Sequence, residues 1–575
     1  SPCRGRDFAL KSADMAVPHI RRAWALGDAR AVRLSLLLDL VVGLLIVLAL
    51  PLAIVTIPNT VSVVADLLPA DVSRVDMTRA HGMALPGLLL TVPLAVLAAR
   101  RLPAAPLLLT GLALLAAAET AGGFAASPLM AGALRALQGM GGGLLVCATL
   151  LAAWERPGTA RRVLLSLWAG ALTASMLTAQ ALALWPLDEA TSWRVTLQPY
   201  PLVTGLALAV GAGYLVLWLV TGDARTTRQD VVTRGRLLPA AAPAAGIAAL
   251  ALGTTFDWPF VLTLAAGGVS VLGLFALALF GAPDGTPGRT LAITMTVAGL
   301  VVLPTAAQTT YVELRGVGGP GLIGLWVPFT VAVVAALVAP VLADRLSRRA
   351  AARSAPGNVP TGGAYAAAGT GAGAHLVARF LTGGLAVLVA GLAAVRLLVP
   401  NAEGLVLTVP FTLIAAGAAV ALAAGLWAAS PGAALFALTL CFPGVLAGFL
   451  LGTGMQIARV RAAERMPDPA QALVDGFVAT LHTWALVGGF AVVAGLVITA
   501  ILFRRRAGEH PDAASDGRTP GGYGTAASAE RPYDHSSPTV TMDILVAGGD
   551  RARGRPVVPP PSPSPEASFG PVGGV

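Results

Sequence analysis

The 575-residue chain is 56% hydrophobic and only 12% charged, and its mean hydropathy is +0.76. This composition excludes a soluble globular protein and indicates a polytopic membrane protein. The net charge of +10 comes from arginines placed between apolar segments, not from one basic face, which argues against a nucleic-acid partner.

Fourteen apolar segments follow one another along the chain, each close to the roughly 20 residues that a helix needs to cross a bilayer. They cover residues 33–58, 82–99, 104–125, 128–153, 161–185, 197–221, 238–255, 258–281, 289–311, 321–343, 375–399, 404–429, 431–456 and 478–503. We therefore predict an all-α polytopic membrane protein with about fourteen transmembrane helices.

The spacing of these segments predicts two transport domains of six helices each, at 33–221 and 288–503, joined by two linking helices within 222–287. A cytoplasmic segment, 1–32, precedes the first domain. The tail, 504–575, is rich in proline, glycine and serine and cannot bury enough apolar surface to fold alone, so we expect a disordered cytoplasmic tail. Its proline run leaves open a second interpretation, a docking segment for a partner.

Two acidic residues lie within the first and third predicted spans. Asp39 is close to the cytoplasmic end of its span, where an interfacial position is the simpler interpretation and a role in transport is the alternative. Glu119 is the nearest candidate counter-ion, in sequence, for the arginine of the fourth span. It has an equally simple alternative, which is a solvated position near the outer interface.

The fourth span contains Arg135, followed by Gln138 and by the glycines Gly139, Gly142 and Gly143. A guanidinium near the middle of a membrane helix costs about 2.5 to 3.5 kcal/mol on insertion scales, and such groups commonly mark a substrate or ion pathway. Two interpretations remain open: coupling to protons or substrate, and a structural cation satisfied by carbonyls or by Gln138. The glycines would allow a neighbouring helix to approach closely.

A second polar motif ends the tenth span, where Leu342-Ala343 is followed by Asp344, Arg345, two further residues, and Arg348 and Arg349. Asp344 could accept hydrogen bonds from the amino terminus of a neighbouring helix, while the arginines could pair with acids or lipid phosphate. We expect this segment to act as a gate, because a plain positive anchor requires no acid. Arg100-Arg101 occupies the corresponding place after the second span.

Over residues 33–503 these motifs resemble the fourteen-span drug:proton antiporter branch of the major facilitator superfamily. The resemblance is carried by Arg135-x-x-Gln138-Gly139, by Leu342 through Arg349, and by Trp193-Arg194 before the sixth span. It implies a major facilitator fold arranged 6+2+6, proton coupling through Arg135, and a cytoplasmic gate at Asp344, Arg345, Arg348 and Arg349.

The chain departs from that family's pattern at three places, which marks it as a divergent member. The segment ending in Arg100-Arg101 lacks the gating aspartate, the fifth span lacks the Gly-Pro pair, and Ala49 stands where an acid is expected. These departures leave the expected fold intact and weaken the expectation of proton antiport.

We expect a secondary transporter that exports amphipathic or hydrophobic organic compounds, as in drug or metabolite efflux. Two alternatives are a transporter of a lipid or lipid-linked precursor and a transport-inactive membrane scaffold. No nucleophile and base pair, metal cluster or phosphate loop stands out, so we expect neither an enzyme nor a metal or cofactor. The expected partners are a small-molecule or lipid substrate, protons and membrane lipids, and the expected state is a monomer.

The distribution of arginines predicts the orientation in the cell (inner or plasma) membrane. Arginines are concentrated at one set of segment ends, which places both termini in the cytoplasm. Loop 59–81 and loop 457–477, the latter with a short amphipathic helix, are then outside, and 346–374 is inside.

We predict that cysteines introduced at Ser73 and Ala470 react with membrane-impermeant thiol reagents in intact cells, because both positions lie in outer loops. A cysteine introduced at Ser354 should react only after the membrane is permeabilised. Labelling of that cysteine in intact cells would contradict the predicted orientation.

Overall fold

The computed structural model describes residues 18–221, 246, 259–314, 324–354, 371–400, 404–463 and 465–508. Within these ranges the regular structure is helical, without strands, and thirteen helices are long and apolar enough to cross a membrane. The protein is therefore an all-helical, multi-pass membrane protein, which confirms the predicted fold class. The predicted span 238–255, most of linker 346–374, and the tail beyond residue 508 lie outside the described residues.

Apart from the short helix Arg74–His81, which lies within the predicted outer loop 59–81, the described helices fall close to the predicted spans. They are α1 (Pro18–Ile54), α2 (Arg74–His81), α3 (Ala84–Ala98), α4 (Ala104–Gly122), α5 (Pro128–Glu155), α6 (Gly158–Leu184), α7 (Pro201–Thr221), α8 (Phe260–Phe280), α9 (Thr286–Leu314), α10 (Trp326–Ser354), α11 (Gly371–Leu398), α12 (Thr408–Ala428), α13 (Pro431–Ala463) and α14 (Pro469–Gly508).

Local sequence sets the ends of α5, the helix that carries Arg135. The Ser127 hydroxyl accepts a hydrogen bond from the Met130 amide at 3.3 Å, and Pro128 occupies the first turn, where it costs no backbone hydrogen bond. The helix ends at Arg156, whose backbone is extended because Pro157 follows it. These signals fix α5 so that Arg135 lies near its start.

The helices of α1–α7 and of α9–α14 pack in the same order. In the first group α5 contacts α1, α3 and α4, while α1 packs on α6 and α7, and α4 packs on α7. In the second group α12 contacts α9, α10 and α11, while α9 packs on α13 and α14, and α11 packs on α14. We call these groups the first and second halves; their limits as independent domains remain a prediction.

The two halves meet along two sides. Helix α6 packs against α10, α12 and α9, and α3 packs against α13. Helix α8, the described member of the predicted linking pair, lies outside this interface, against α13 and α9. Movement of one half against the other must therefore change the contacts of α6 and α3.

One predicted loop is wrong in detail. We expected a short amphipathic helix within an outer loop over 457–477, but α13 continues to Ala463 and α14 begins at Pro469. The intervening residues include Pro467, and the stretch 458–463 consists mainly of alanine and arginine, which are strong helix formers. The helix therefore extends until proline and aspartate end it.

The predicted packing glycines face two neighbouring helices. A Cβ atom added at Gly139 would overlap the carbonyl oxygen of Ala84 in α3. A Cβ at Gly143 would lie 3.0 Å from a carbonyl oxygen of α3, and one at Gly142 would lie 3.0 Å from a carbonyl oxygen of α1. The α3–α5 contact at Gly139 is thus closer than any side chain permits.

Gly139→Ala should destabilise the protein by about 1 to 3 kcal/mol, because the added methyl group must push α3 away. Gly132→Ala on the same helix is the matched control: its added Cβ would lie 3.5 Å from the nearest atom, an ordinary contact. Thermal unfolding followed by size-exclusion chromatography in detergent should show a lower midpoint for Gly139→Ala alone. Equal midpoints for the two variants would refute the close approach.

Candidate functional site

Two polar clusters lie at opposite ends of the membrane-spanning bundle. The first, which we call the Arg135 cluster, comprises Arg135, Gln138, His81, Thr196 and Glu119 at the predicted outer end.

The second, the Asp344 cluster, lies at the predicted inner end. It comprises Asp344, Arg348, Arg162, Ser166 and Trp427. Three helices, α6, α10 and α12, supply its members, so the cluster includes residues of both halves.

Arg135 is only 2% exposed, and backbone carbonyls satisfy most of its guanidinium. Nη2 donates to the Thr196 carbonyl at 2.8 Å, and Nη1 donates to the Thr56 carbonyl at 3.2 Å and to Gln138 Oε1 at 3.4 Å. These carbonyls are accessible because α1 has ended before Thr56 and because Thr196 lies in the 3₁₀ turn Trp193–Leu197. The arginine therefore joins α5 to the end of α1 and to this turn.

The remaining polar side chains extend the same connection. Gln138 Nε2 donates to the Leu197 carbonyl at 2.7 Å. His81, at the end of α2, lies with Nε2 at 2.7 Å from the Thr196 hydroxyl and Nδ1 at 3.1 Å from the Met77 carbonyl. The Arg135 cluster thus holds the 3₁₀ turn before α7 against α1, α2 and α5.

Glu119 lies in α4 and is 4% exposed. It is near enough to Arg135 for an electrostatic interaction, yet no ion pair joins the two within the described residues. Its Oε2 atom is buried without a hydrogen-bond partner in that part of the chain, while its backbone carbonyl accepts from Gln198 Nε2. Glu119 is therefore a buried carboxyl beside a cation that is already bonded to carbonyls.

Asp39 lies apart from these residues, at the other end of the first half. Its Oδ1 atom is 2.5 Å from Arg156 Nε, and Arg156 also donates to the Ser35 hydroxyl at 3.0 Å. Arg156 is 4% exposed and Asp39 is 21% exposed, so this pair is a partly buried connection between α1 and the end of α5. Of the four residues predicted for coupling, the structure brings together Arg135, Gln138 and Glu119 but not Asp39.

Asp344 is fully buried and lies between two arginines. Arg348 of the same helix approaches Oδ2 at 2.5 Å, and Arg162 Nε of α6 lies 3.2 Å from Oδ1. We expected Asp344 to accept hydrogen bonds from backbone amides of a neighbouring helix. The partners that the structure gives its carboxylate are instead the guanidinium groups of Arg162 and Arg348. Because α6 belongs to the first half and α10 to the second, this carboxylate connects the halves.

Aromatic contacts reinforce the same junction. The Arg162 guanidinium lies 5.4 Å from the ring centroid of Trp427 in α12, and Trp427 Nε1 donates to the Ser166 hydroxyl of α6 at 3.1 Å. A cation over an indole face is stabilised by the ring quadrupole. Arg162 is consequently held by an acid and an aromatic ring that both belong to the second half.

The sequence identified only part of this cluster. Arg345 and Arg349, which we grouped with the gate, are exposed, whereas Arg348 contacts the aspartate. Arg162 was one of many arginines assigned to the cytoplasmic side, and no local signal linked it to Asp344. Trp427 carried no sequence signal at all.

Comparison with known proteins gives only structural likeness. No protein-family model matches the chain, and no curated protein sequence matches it. The chain is similar to the structure of the major facilitator superfamily proton:xylose symporter XylE bound to 6-bromo-6-deoxy-D-glucose, at 13% identity and a TM-score of 0.45, covering 78% of this chain and 94% of that one.

A second solved structure, a double tryptophan mutant of XylE, is similar at 12% identity and a TM-score of 0.47. The alignment covers 80% of this chain and 94% of that one. Likenesses of this size assign neither a substrate nor a mechanism to the chain.

Arg135→Ala should lower the thermal unfolding midpoint by a few degrees, because carbonyls of Thr56 and Thr196 lose their donor at a cost of about 1 to 3 kcal/mol. Arg74→Ala is the control, since it removes an exposed arginine at the same end. An unchanged midpoint for Arg135→Ala, with transport per folded molecule abolished, would instead favour the coupling role.

Proposed function

We propose that the chain is a secondary transporter of the major facilitator type, which exports amphipathic or hydrophobic organic compounds by alternating access. The observation that carries this proposal is the ion pair between Arg162 and the buried Asp344, which joins the two halves at one end of the bundle.

The repeated packing supports a transporter built from two structural repeats. The contacts of α5 with α1, α3 and α4 have counterparts in those of α12 with α9, α10 and α11, and the contacts of α1 with α6 and α7 have counterparts in those of α9 with α13 and α14. Transporters with this organisation bind substrate between the repeats and expose it to alternate sides when one repeat rocks against the other. The side-by-side contacts of α6 with α10 and of α3 with α13 are where such a motion would occur.

We assign the Asp344 cluster to one end state of that motion, the state in which the predicted inner end is closed. With Arg162 and Arg348 against the carboxylate, the predicted inner end is closed between α6 and α10. Opening this end would expose Asp344 to water, which replaces Arg162 as its partner while Arg348 stays in place, and this makes the separation reversible. A substrate that binds one state more tightly than the other would then shift the balance between closed and open forms.

The nature of the substrate is inferred from the residues between the halves. Helix α6 contributes mainly alanine, leucine and small hydroxyl residues to this region. An apolar lining suits lipophilic compounds. A fluorescent phospholipid tested beside a drug-like dye distinguishes a lipid transporter, the alternative from sequence, from drug or metabolite efflux.

The proposal also includes coupling of transport to protons. The guanidinium of Arg135 is bonded to carbonyls, so we assign the proton-carrying role to Glu119, whose Oε2 atom is buried without a hydrogen-bond partner in the described chain. One charge moved across 100 mV supplies about 2.3 kcal/mol, enough to drive accumulation.

Asp344→Asn should slow ethidium transport in proteoliposomes by roughly fivefold, equivalent to about 1 kcal/mol, with unchanged folded yield. Arg162→Gln should produce a similar loss of transport rate. The double variant should be little slower than either single variant, because each of the three variants removes the same ion pair between Arg162 and Asp344.

Asp188→Asn, which removes an exposed acid at the other end of the bundle, serves as the matched control and should transport at the normal rate. Losses that simply add in the double variant would show that Asp344 and Arg162 act separately. A normal rate for Asp344→Asn would reduce the segment to a membrane anchor.

A further inference from the structure

We infer that a cavity between α1, α6 and α10 binds the hydrocarbon chain of an amphipathic substrate, which enters sideways from the bilayer. The cavity has a volume of about 320 Å³ and is lined by residues of both halves. This inference rests on the proposed transport function and names the part of the substrate that the protein recognises.

The cavity arises because α6 and α10 touch at two levels and separate between them. At Gly170 the helices are so close that an added Cβ would overlap the Ala336 carbonyl oxygen. At the predicted outer end the rings of Trp185 and Trp326 meet edge to face, with centroids 4.9 Å apart. Between these two contacts the helices lie apart, and the cavity runs parallel to their axes.

The lining offers no counter-ion to the part of a ligand that enters the cavity. None of the described lining side chains is ionisable, and their polar groups are three hydroxyls and a tryptophan pair, beside the backbone. The hydroxyls of Ser175, Thr178 and Thr330 already donate to carbonyls of their own helices, at 2.6, 2.9 and 2.8 Å. A ligand in the cavity therefore finds apolar contacts and no free hydroxyl donor.

The cavity reaches the surface of the bundle through exposed valines at mid-span, a surface that we infer to face lipid. Val47 of α1 is 38% exposed and Val334 of α10 is 54% exposed, and both border the opening. Trp185 and Trp326 are each more than two-fifths exposed at the predicted outer end. Indole rings favour the membrane interface, so the polar group of the ligand would lie beside them and its chain would extend inward.

The position of the cavity favours a transported ligand over a structural lipid. Its walls are α6 and α10, the same helices that the Asp344 cluster holds together at the other end. A chain bound there contacts both halves and loses contacts when they separate. Its affinity must then differ between the two states, as transport requires. The volume lies at the lower end of ligand pockets, which span about 300 to 1,000 Å³.

The test is photolabelling of the full chain in proteoliposomes with a dodecyl maltoside that carries a diazirine in its alkyl chain. Mass spectrometry of the wild type should place the label within residues 171–185 and 326–337. Val333→Phe fills the cavity and should reduce this label at least fivefold. Val331→Phe is the matched control, because the same substitution falls on a 40% exposed side chain outside the cavity.

Label spread over other lipid-facing helices, with no change in Val333→Phe, would overturn the inference. If Val333→Phe fails to fold, the labelling pattern of the wild type alone decides whether the label is confined to the cavity or spread over the lipid-facing helices. A phosphatidylcholine carrying the diazirine is run in parallel. The inference would also be overturned if this lipid labelled the cavity as strongly as the dodecyl maltoside probe and if unlabelled dodecyl maltoside did not displace it. That result would identify the occupant of the cavity as bilayer lipid.

Transport of ethidium is measured on the same samples to separate the two proposals. Cavity labelling without transport would support the binding site and contradict the proposed function. Transport that is normal in Val333→Phe and accompanied by no cavity label would leave the proposed function standing and refute the site.

Discussion

A carboxylate without solvent contact, placed between two halves of a membrane protein, is the constraint on which the rest of the arrangement depends. Asp344 is stable in that position because Arg348 supplies one cation from its own helix and Arg162 supplies another from α6. An isolated buried charge would cost several kcal/mol, so the closed arrangement of α6 and α10 is tied to the pairing. The packing of Arg162 on Trp427 brings α12 into the same junction. In the proposed mechanism, separation of α6 from α10 would break the contacts of Arg162 with Asp344 and Trp427.

Within each half, small residues make the packing close enough to keep each bundle rigid. Gly111 and Gly141 face each other across α4 and α5, and Gly384 and Gly417 do the same across α11 and α12, which are the corresponding helices of the second half. A Cβ at any of the four would lie 3.0 Å or less from the facing carbonyl oxygen. Membrane helices gain no hydrophobic driving force from each other, so such contacts provide much of their association. Rigid halves and a polar junction between them suit rocking better than local bending.

The positions of the helices could be predicted from the sequence, but the residues that the buried polar side chains contact could not. Spans were visible because a bilayer requires long apolar runs, and Arg135, Gln138 and Asp344 were visible because polar groups are expensive in that setting. Arg162 could not be assigned to Asp344, since an arginine at a helix end looks the same whether it binds lipid phosphate or a distant acid. The carbonyl partners of Arg135 were equally hidden, because Thr56 and Thr196 come from turns that only tertiary packing brings to α5. Asp39 resembled a coupling residue until the structure placed it beside Arg156.

Distance measurement across the predicted inner end tests the central claim most directly. Spin labels at Arg101 and Arg349, exposed residues of the first and second halves, would be introduced after Cys3, Cys147 and Cys441 are replaced by serine. Double electron–electron resonance in lipid nanodiscs should give two distance populations, and Asp344→Asn should enrich the longer one, because the closed end loses its ionic contact. A single distance that is unaffected by Asp344→Asn would contradict the account of Asp344 as the contact that holds the halves closed.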